Sequence, residues 1–118
     1  MDKKTSFAVR FDSGITTTGV DGGQAVVPHA KESLAELRQK GHPVTIYTDR
    51  DVEEVRGMLL KEDIPYDELM EETEMFADAA DIVLDDRLIN VILCRNGHPH
   101  PFIGWSSIMS FLRTIKRI

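Results

Sequence analysis

Cysteine is nearly absent from this chain: one residue, Cys94, stands among 118. No intramolecular disulfide can brace such a chain, so stability has to come from a packed core, and a lone thiol fits a reducing compartment. Long hydrophobic runs are missing too. Nothing approaches the roughly 20 apolar residues that span a bilayer. The stretch after Met1-Asp2-Lys3-Lys4-Thr5-Ser6 is too short for a signal peptide and is broken by Arg10. A cytoplasmic protein with no membrane partner is therefore expected. Positive charge is scarce in one region above all, since no Lys or Arg occurs between Lys61 and Arg87 while Glu and Asp recur there. The formal net charge is −6 and the pI about 5.1. Such a field repels phosphate backbones, which argues against general nucleic-acid binding. Glu68, Glu71, Glu72 and Glu74 read as a solvated acidic face.

What is present suits one globular domain over residues 1–118: 42% hydrophobic and 29% charged residues, enough for one core and not for two. The chain is organised around Phe7-Ala8-Val9-Arg10-Phe11-Asp12-Ser13-Gly14, an apolar run that breaks at an acid and a turn. Its length and Phe/Val content predict a strand buried on both faces, with Asp12 at its carboxyl end. Val44-Thr45-Ile46-Tyr47 runs into Thr48-Asp49-Arg50, and Ile82-Val83-Leu84 into Asp85-Asp86-Arg87, in the same way. If the three strands are parallel, Asp12, Thr48, Asp85 and Asp86 meet at the edge where open α/β sheets bind ligands.

Between these strands, Ser13 to Val27 is rich in Gly and Thr and predicts a loop crossing that edge. Pro28 to Lys40 reads as a helix, with Ala30, Leu34 and Leu37 at helical spacing and Gly41 as its C-cap. Asp51 opens a second helix to about Lys61 along Val52, Val55 and Leu59. Asp67 is placed as the cap of a short helix through Met75. Leu88 to Cys94 is apolar, and its periodicity fits a strand or a helical turn; Arg95 to Pro101 is loop. From Ser106, Ile108, Phe111, Leu112 and Ile115 mark an amphipathic terminal helix. Strand, helix, strand, helix, strand with right-handed crossovers makes an α/β domain with a mostly parallel sheet and helices on both faces.

The order of these strand ends, an acid, then a Thr, then a paired Asp, resembles the haloacid dehalogenase (HAD) superfamily of aspartyl-nucleophile phosphohydrolases, and most of all its small capless members. The residues that carry the resemblance are Ala8-Val9-Arg10-Phe11-Asp12, Ile46-Tyr47-Thr48-Asp49-Arg50, Ile64-Pro65-Tyr66-Asp67 and Ala80 to Arg87, within roughly Phe7 to Ile89. It implies a HAD-like, three-layer Rossmann-like sandwich without a cap domain, since neither Asp12 to Thr48 nor Thr48 to Asp85 leaves room for one. Members carry an Asp-x-Asp signature, whose first Asp attacks phosphorus and whose second is the acid/base. A Thr or Ser on the second strand binds phosphate, a Lys precedes the third strand, and acids after it hold Mg²⁺. A carboxylate can form an acyl-phosphate, a second carboxylic acid protonates the leaving oxygen, and cations neutralise the phosphoryl charge.

Aligned without gaps, this chain places Arg10 at the first signature position and Asp12 at the second, and about Ala77 where the Lys is expected. A guanidinium stays protonated and cannot attack phosphorus. In a second register Asp12 itself attacks and Gly14 falls on the acid/base position, a loss of ~10²–10⁴ in rate for poor leaving groups. In either register the resemblance makes Thr48 and Arg50 the phosphate-binding residues and Asp12, Asp85 and Asp86 the Mg²⁺ ligands. Arg10 stands at the replaced nucleophile position, where it is expected to form a bidentate salt bridge with Asp85 or Asp86 in place of the metal. The resemblance implies a catalytically degenerate phosphohydrolase that retains a phosphate- or metal-sized pocket. The alternatives are an active Mg²⁺-dependent phosphatase using Asp12, with no cofactor needed if inactive, and a non-catalytic regulatory or interaction domain. Capless members act on exposed phosphates of large substrates or phosphorylated small molecules, or close the site as a homo-oligomer.

Weaker signals have plainer explanations. Cys94, His98 and His100 lack the second pair that a zinc site needs and read as a small buried thiol and loop histidines. Trp105 reads as a core or interface anchor, His29 and His42 as residues that cap or solvate helix ends, and Met70 and Met75 as packing. A two-component receiver domain shares the architecture but puts its acidic pair near the first strand, where this chain has it last.

Overall fold

The computed structural model describes residues 4–18, 24–74, 80–87, 93–94, 102–115 and 118. Its centre is β1 (Phe7–Arg10), in which Phe7, Ala8 and Val9 are fully buried. Only a strand covered on both faces can use such a run, and β1 lies between two parallel neighbours, β4 (Val44–Thr48) and β6 (Ile82–Leu84). Val9 pairs with Ile46 on one side and Leu84 on the other, so the strands end level. A fourth parallel strand, β5 (Glu68–Glu71), completes the order β5-β4-β1-β6.

Asp67 therefore leads into a strand and does not cap a helix; among the described residues of the segment expected to be helical, only Glu72–Glu74, beyond the strand, form a 3-10 turn. Asp67 Oδ2 accepts a hydrogen bond from the Val44 N–H at 2.8 Å, its own N–H bonds the Val44 carbonyl at 2.9 Å, and Arg38 pairs with Oδ1 at 3.1 Å. Pairing with β4 overrides a local sequence that carries no strong strand signal. At the same amino-terminal end, the Ser6 N–H donates to Asp81 Oδ2 at 2.9 Å and the Asp81 N–H to Ser6 Oγ at 3.0 Å, which fixes β6 beside β1.

The described parts of the segment predicted as a loop carry regular structure. α1 (Phe11–Gly14) is a single turn with a crook in it: Asp12 is extended, and Ser13 is left-handed at φ 73°. β2 (Thr16–Thr18) and β3 (Gln24–Val26) then form an antiparallel hairpin. α2 (Ala30–Gln39) starts two residues later than the Pro28 expectation, with His29 in the N-cap position making no side-chain cap bond. It ends as the sequence predicts: Gly41 has φ 88°, and the N–H groups of Gly41 and His42 close on the Arg38 and Leu37 carbonyls. His42 is buried, not solvated; its Nδ1 lies 2.9 Å from the Thr5 carbonyl oxygen and its ring meets Phe7 edge-on. α3 (Val52–Lys61) has the expected cap, with Asp51 Oδ1 accepting from the Glu53 N–H at 3.0 Å.

β7 (Leu93–Cys94) pairs antiparallel with β8 (Phe102–Ile103), so of the two readings of Leu88 to Cys94 its end is strand. α4 (Trp105–Thr114) begins one residue before Ser106, with Gly104 in the cap position. Its buried face is Trp105, Ile108, Met109 and Leu112, while Phe111 and Ile115 are exposed. The Arg113–Glu36 ion pair ties α4 to α2. Trp105 is a core anchor: it is fully buried, and its indole N–H donates to the Gly14 carbonyl at 2.7 Å. The positions of Ala77 and Met75, most of Leu88 to Cys94, the Cys94 side chain, His98 and His100 lie outside the described residues.

Gly14 is thus clamped between strand and helix. A Cβ there would sit 2.7 Å from Val9 Cγ1, itself fully buried. Gly14→Ala is expected to destabilise the fold by about 1–3 kcal/mol through overpacking, read from the urea unfolding midpoint; an unchanged midpoint would show that Val9 moves aside freely.

Candidate functional site

Level strand ends bring the polar residues that follow each strand to one edge. Arg10 closes β1, Asp12 lies in the crook after it, Thr48 closes β4 with Asp49 and Arg50 beyond, Glu72 follows β5, and Asp85 to Arg87 follow β6. All the residues predicted for the site are therefore at this edge, but each acid is held by an arginine.

Asp12 faces Arg50. Arg50 Nη2 lies 2.7 Å from Oδ1, and Nε lies 3.1 and 3.2 Å from Oδ1 and Oδ2. These bonds raise the Arg50 pKa further above its ordinary value. Arg50 also reaches back through its backbone N–H to Thr48 Oγ1 at 3.0 Å. Thr48 is buried beneath it, so the two residues predicted to bind phosphate are joined to each other and to Asp12.

Asp85 is buried and saturated. Oδ1 accepts from the Arg87 N–H and Nε, both at 2.9 Å; Oδ2 accepts from Arg87 Nη2 at 2.5 Å and from the Tyr47 hydroxyl at 2.7 Å. Burial alone would raise its pKa, but these bonds outweigh it and hold the carboxyl well below the usual carboxylate range. Tyr47 responds in the opposite direction: burial first, and then the bond to ionised Asp85, push its phenol far above the ordinary value. Arg87 Nη2 also pairs with Glu72, which is half-buried and so is no part of a freely solvated face.

Arg10 takes the third position, 15% exposed along its side chain. Nη1 lies 3.3 Å from the Asp12 backbone carbonyl and 3.3 Å from Asp86 Oδ1, while Asp49 and Glu72 stand 3.8 Å from Nη2 and Nε. The expected bidentate bridge is not formed. Contact with Asp86 is single, and Asp85, the other expected partner, is taken up by Arg87. Arg10 Nε is buried without a hydrogen-bond partner, as is the Ser13 hydroxyl in the strained crook beside it. A non-glycine residue in that conformation costs about 1–2 kcal/mol, and such strain clusters at functional edges.

This arrangement does not fit the Mg²⁺ that the resemblance implies. Among the described residues no three metal-ligating side chains converge. Asp85 has both oxygens committed, Asp12 is turned to Arg50, and the oxygens of Asp86 and of the Asp12 carbonyl face a guanidinium. Tyr47, Glu72 and Arg87 were missed in the sequence. Tyr47 and Arg87 lie beside predicted strand ends and could have been found by asking what neutralises each acid; Glu72 could not, because its place depends on β5.

No family model matches the chain, and no curated protein does. A solved structure described as that of a conserved protein from Bacteroides thetaiotaomicron is similar, with a TM-score of 0.66 and 21% identity over 96% of this chain and 93% of that one. At that identity the likeness shows the fold, α/β with a parallel sheet.

Because Asp85 has a depressed pKa, its stabilisation is complete above the ordinary carboxylate range and is lost as the pH falls through and below it. Tyr47→Phe, which removes one bond to this charged group, is expected to cost about 1.5–3 kcal/mol at pH 7. Because Arg87 still holds the carboxyl low in the variant, the gap between variant and wild type is expected to narrow only as the pH falls well below the ordinary carboxylate range, as measured by urea denaturation across pH. A gap that is unchanged by acid would contradict this assignment.

Proposed function

We propose that this chain is a HAD-like, capless three-layer domain that has lost phosphohydrolase catalysis and serves as a non-catalytic binding or regulatory domain. The observation that carries this reading is Arg10: at the last position of β1, where an attacking carboxylate is needed, stands a guanidinium directed at the Asp12 carbonyl and Asp86. A protonated arginine is no nucleophile and no general acid at neutral pH.

Asp12 is the rival nucleophile. It would have to attack while Arg50 holds both of its oxygens at 2.7 to 3.2 Å, pairing that lowers the nucleophilicity of a carboxylate and fills the space an incoming phosphoryl group would use. The acid/base position two residues on is Gly14, which carries no titratable group. The same three arginines explain what the edge retains. Arg50 and Arg87 are about half-exposed, so an anionic group on a partner could compete for them with Asp12 and Glu72.

The test is hydrolysis of an activated aryl phosphate with Mg²⁺ by wild type, Asp12→Asn and Arg10→Asp. Wild type and Asp12→Asn are expected at the enzyme-free rate, with any turnover confined to Arg10→Asp. Robust wild-type turnover abolished by Asp12→Asn would establish the phosphatase instead.

A further inference from the structure

The last turns of α3 carry an apolar side chain that the fold leaves in water: Leu60 is 81% exposed. Exposed leucines taken singly are ordinary surface. This one stands on the rim of a hollow of about 310 Å³, floored by the buried Leu59 and Ile64 beside the half-buried Tyr66. The two charged residues that line the hollow, Arg56 and Asp63, are exposed, so charge lies at its rim and apolar surface inside. Two further positions on this face run against what the helix alone would favour. Gly57 is exposed in mid-helix, where glycine is destabilising, and a Cβ there would meet nothing within 4 Å. Asp63 has φ 57° just past the helix end, where the Ile64 N–H closes on the Leu59 carbonyl and glycine is preferred. Nothing inside the chain requires a bare position at Gly57, but it lets another backbone come close.

The charges say what that neighbour is. Arg56 and Asp63 flank Leu60 with opposite sign, and their ties within the chain are long and exposed: Arg56 Nε lies 3.5 Å from Glu53, and Lys31 lies 3.7 Å from Asp63. Such pairs contribute little and exchange readily. We infer that α3 packs antiparallel against α3 of a second copy of this chain about a two-fold axis, each Leu60 entering the other copy's hollow and each Arg56 meeting the other copy's Asp63. A two-fold contact needs a surface that complements itself. Positive, apolar, negative along one helix does so when the second helix runs the opposite way. The face is small, so the pairing is reversible. It lies at the amino-terminal end of the sheet, where Asp67 joins Val44, away from the strand-end acids, and so does not depend on the loss of catalysis.

The experiment is sedimentation equilibrium of the full chain across a dilution series. Wild type is expected to pass from monomer to dimer as its concentration rises. Leu60→Gln and Gly57→Gln are expected to stay monomeric throughout, yet to melt no lower than dilute wild type, since both positions face water in the single chain. Arg56→Glu and Asp63→Arg are each expected to stay monomeric alone and to form a dimer when mixed in equal amounts, because only the mixed pair has opposite charges at both contacts. A rescue of that kind cannot arise within one chain. The proposal is overturned if wild type remains monomeric up to about 1 mM, if a dimer survives Leu60→Gln or Gly57→Gln, if either charge variant self-associates as wild type does, or if the two fail to pair on mixing.

Discussion

One guanidinium sets the terms for the rest of this sheet edge. Arg10 sits at the end of the central strand, with a backbone carbonyl and three carboxylates around it. Parallel strands that end level must bring their following residues together, and in this chain those residues are mostly acids. Without compensating charge their mutual repulsion would oppose the pairing that the hydrophobic strands drive. Arg50 and Arg87 extend the same solution to Asp12 and Asp85, so three cations stand against five carboxylates at the described edge.

This pairing also accounts for the character of the site. Each acid that could bind metal or attack phosphorus is already a hydrogen-bond acceptor for an arginine, and Asp85 is held by Tyr47 as well. Three guanidinium charges thus offset part, and not all, of the five carboxylates gathered there. Strain at this edge lies in the crook, where Ser13 adopts a left-handed conformation with its hydroxyl unpaired. Gly14 next to it is held by Trp105 and Val9, so the strained turn is buttressed from the core side.

The sequence foretells the central part of the fold well, for a physical reason. β1, β4 and β6 are short apolar runs that end in polar residues, and a strand buried on both faces leaves that mark in any chain. α2 and α3 were legible from their periodicity and end signals, Gly41 and Asp51. β5 was not, because Glu68-Leu69-Met70-Glu71 is a strand by virtue of β4 beside it, and its edge position asks little of its own side chains. The hairpin of β2 and β3 was hidden by Gly and Thr that read as loop. At the site, the positions of Arg10, Asp12, Thr48, Arg50, Asp85 and Asp86 followed from the strand ends. Who pairs with whom did not: Arg87 lies two residues from Asp85, and Glu72 enters only through the register of β5.

The central claim, that an arginine side chain fills the spot among the strand-end oxygens, is tested most directly by a crystal structure of the wild-type chain grown with abundant Mg²⁺. Electron density is expected to show the Arg10 guanidinium between the Asp12 carbonyl and Asp86 with no ion beside it. An octahedral magnesium on Asp12 and Asp85, with Arg10 turned out to solvent, would contradict it.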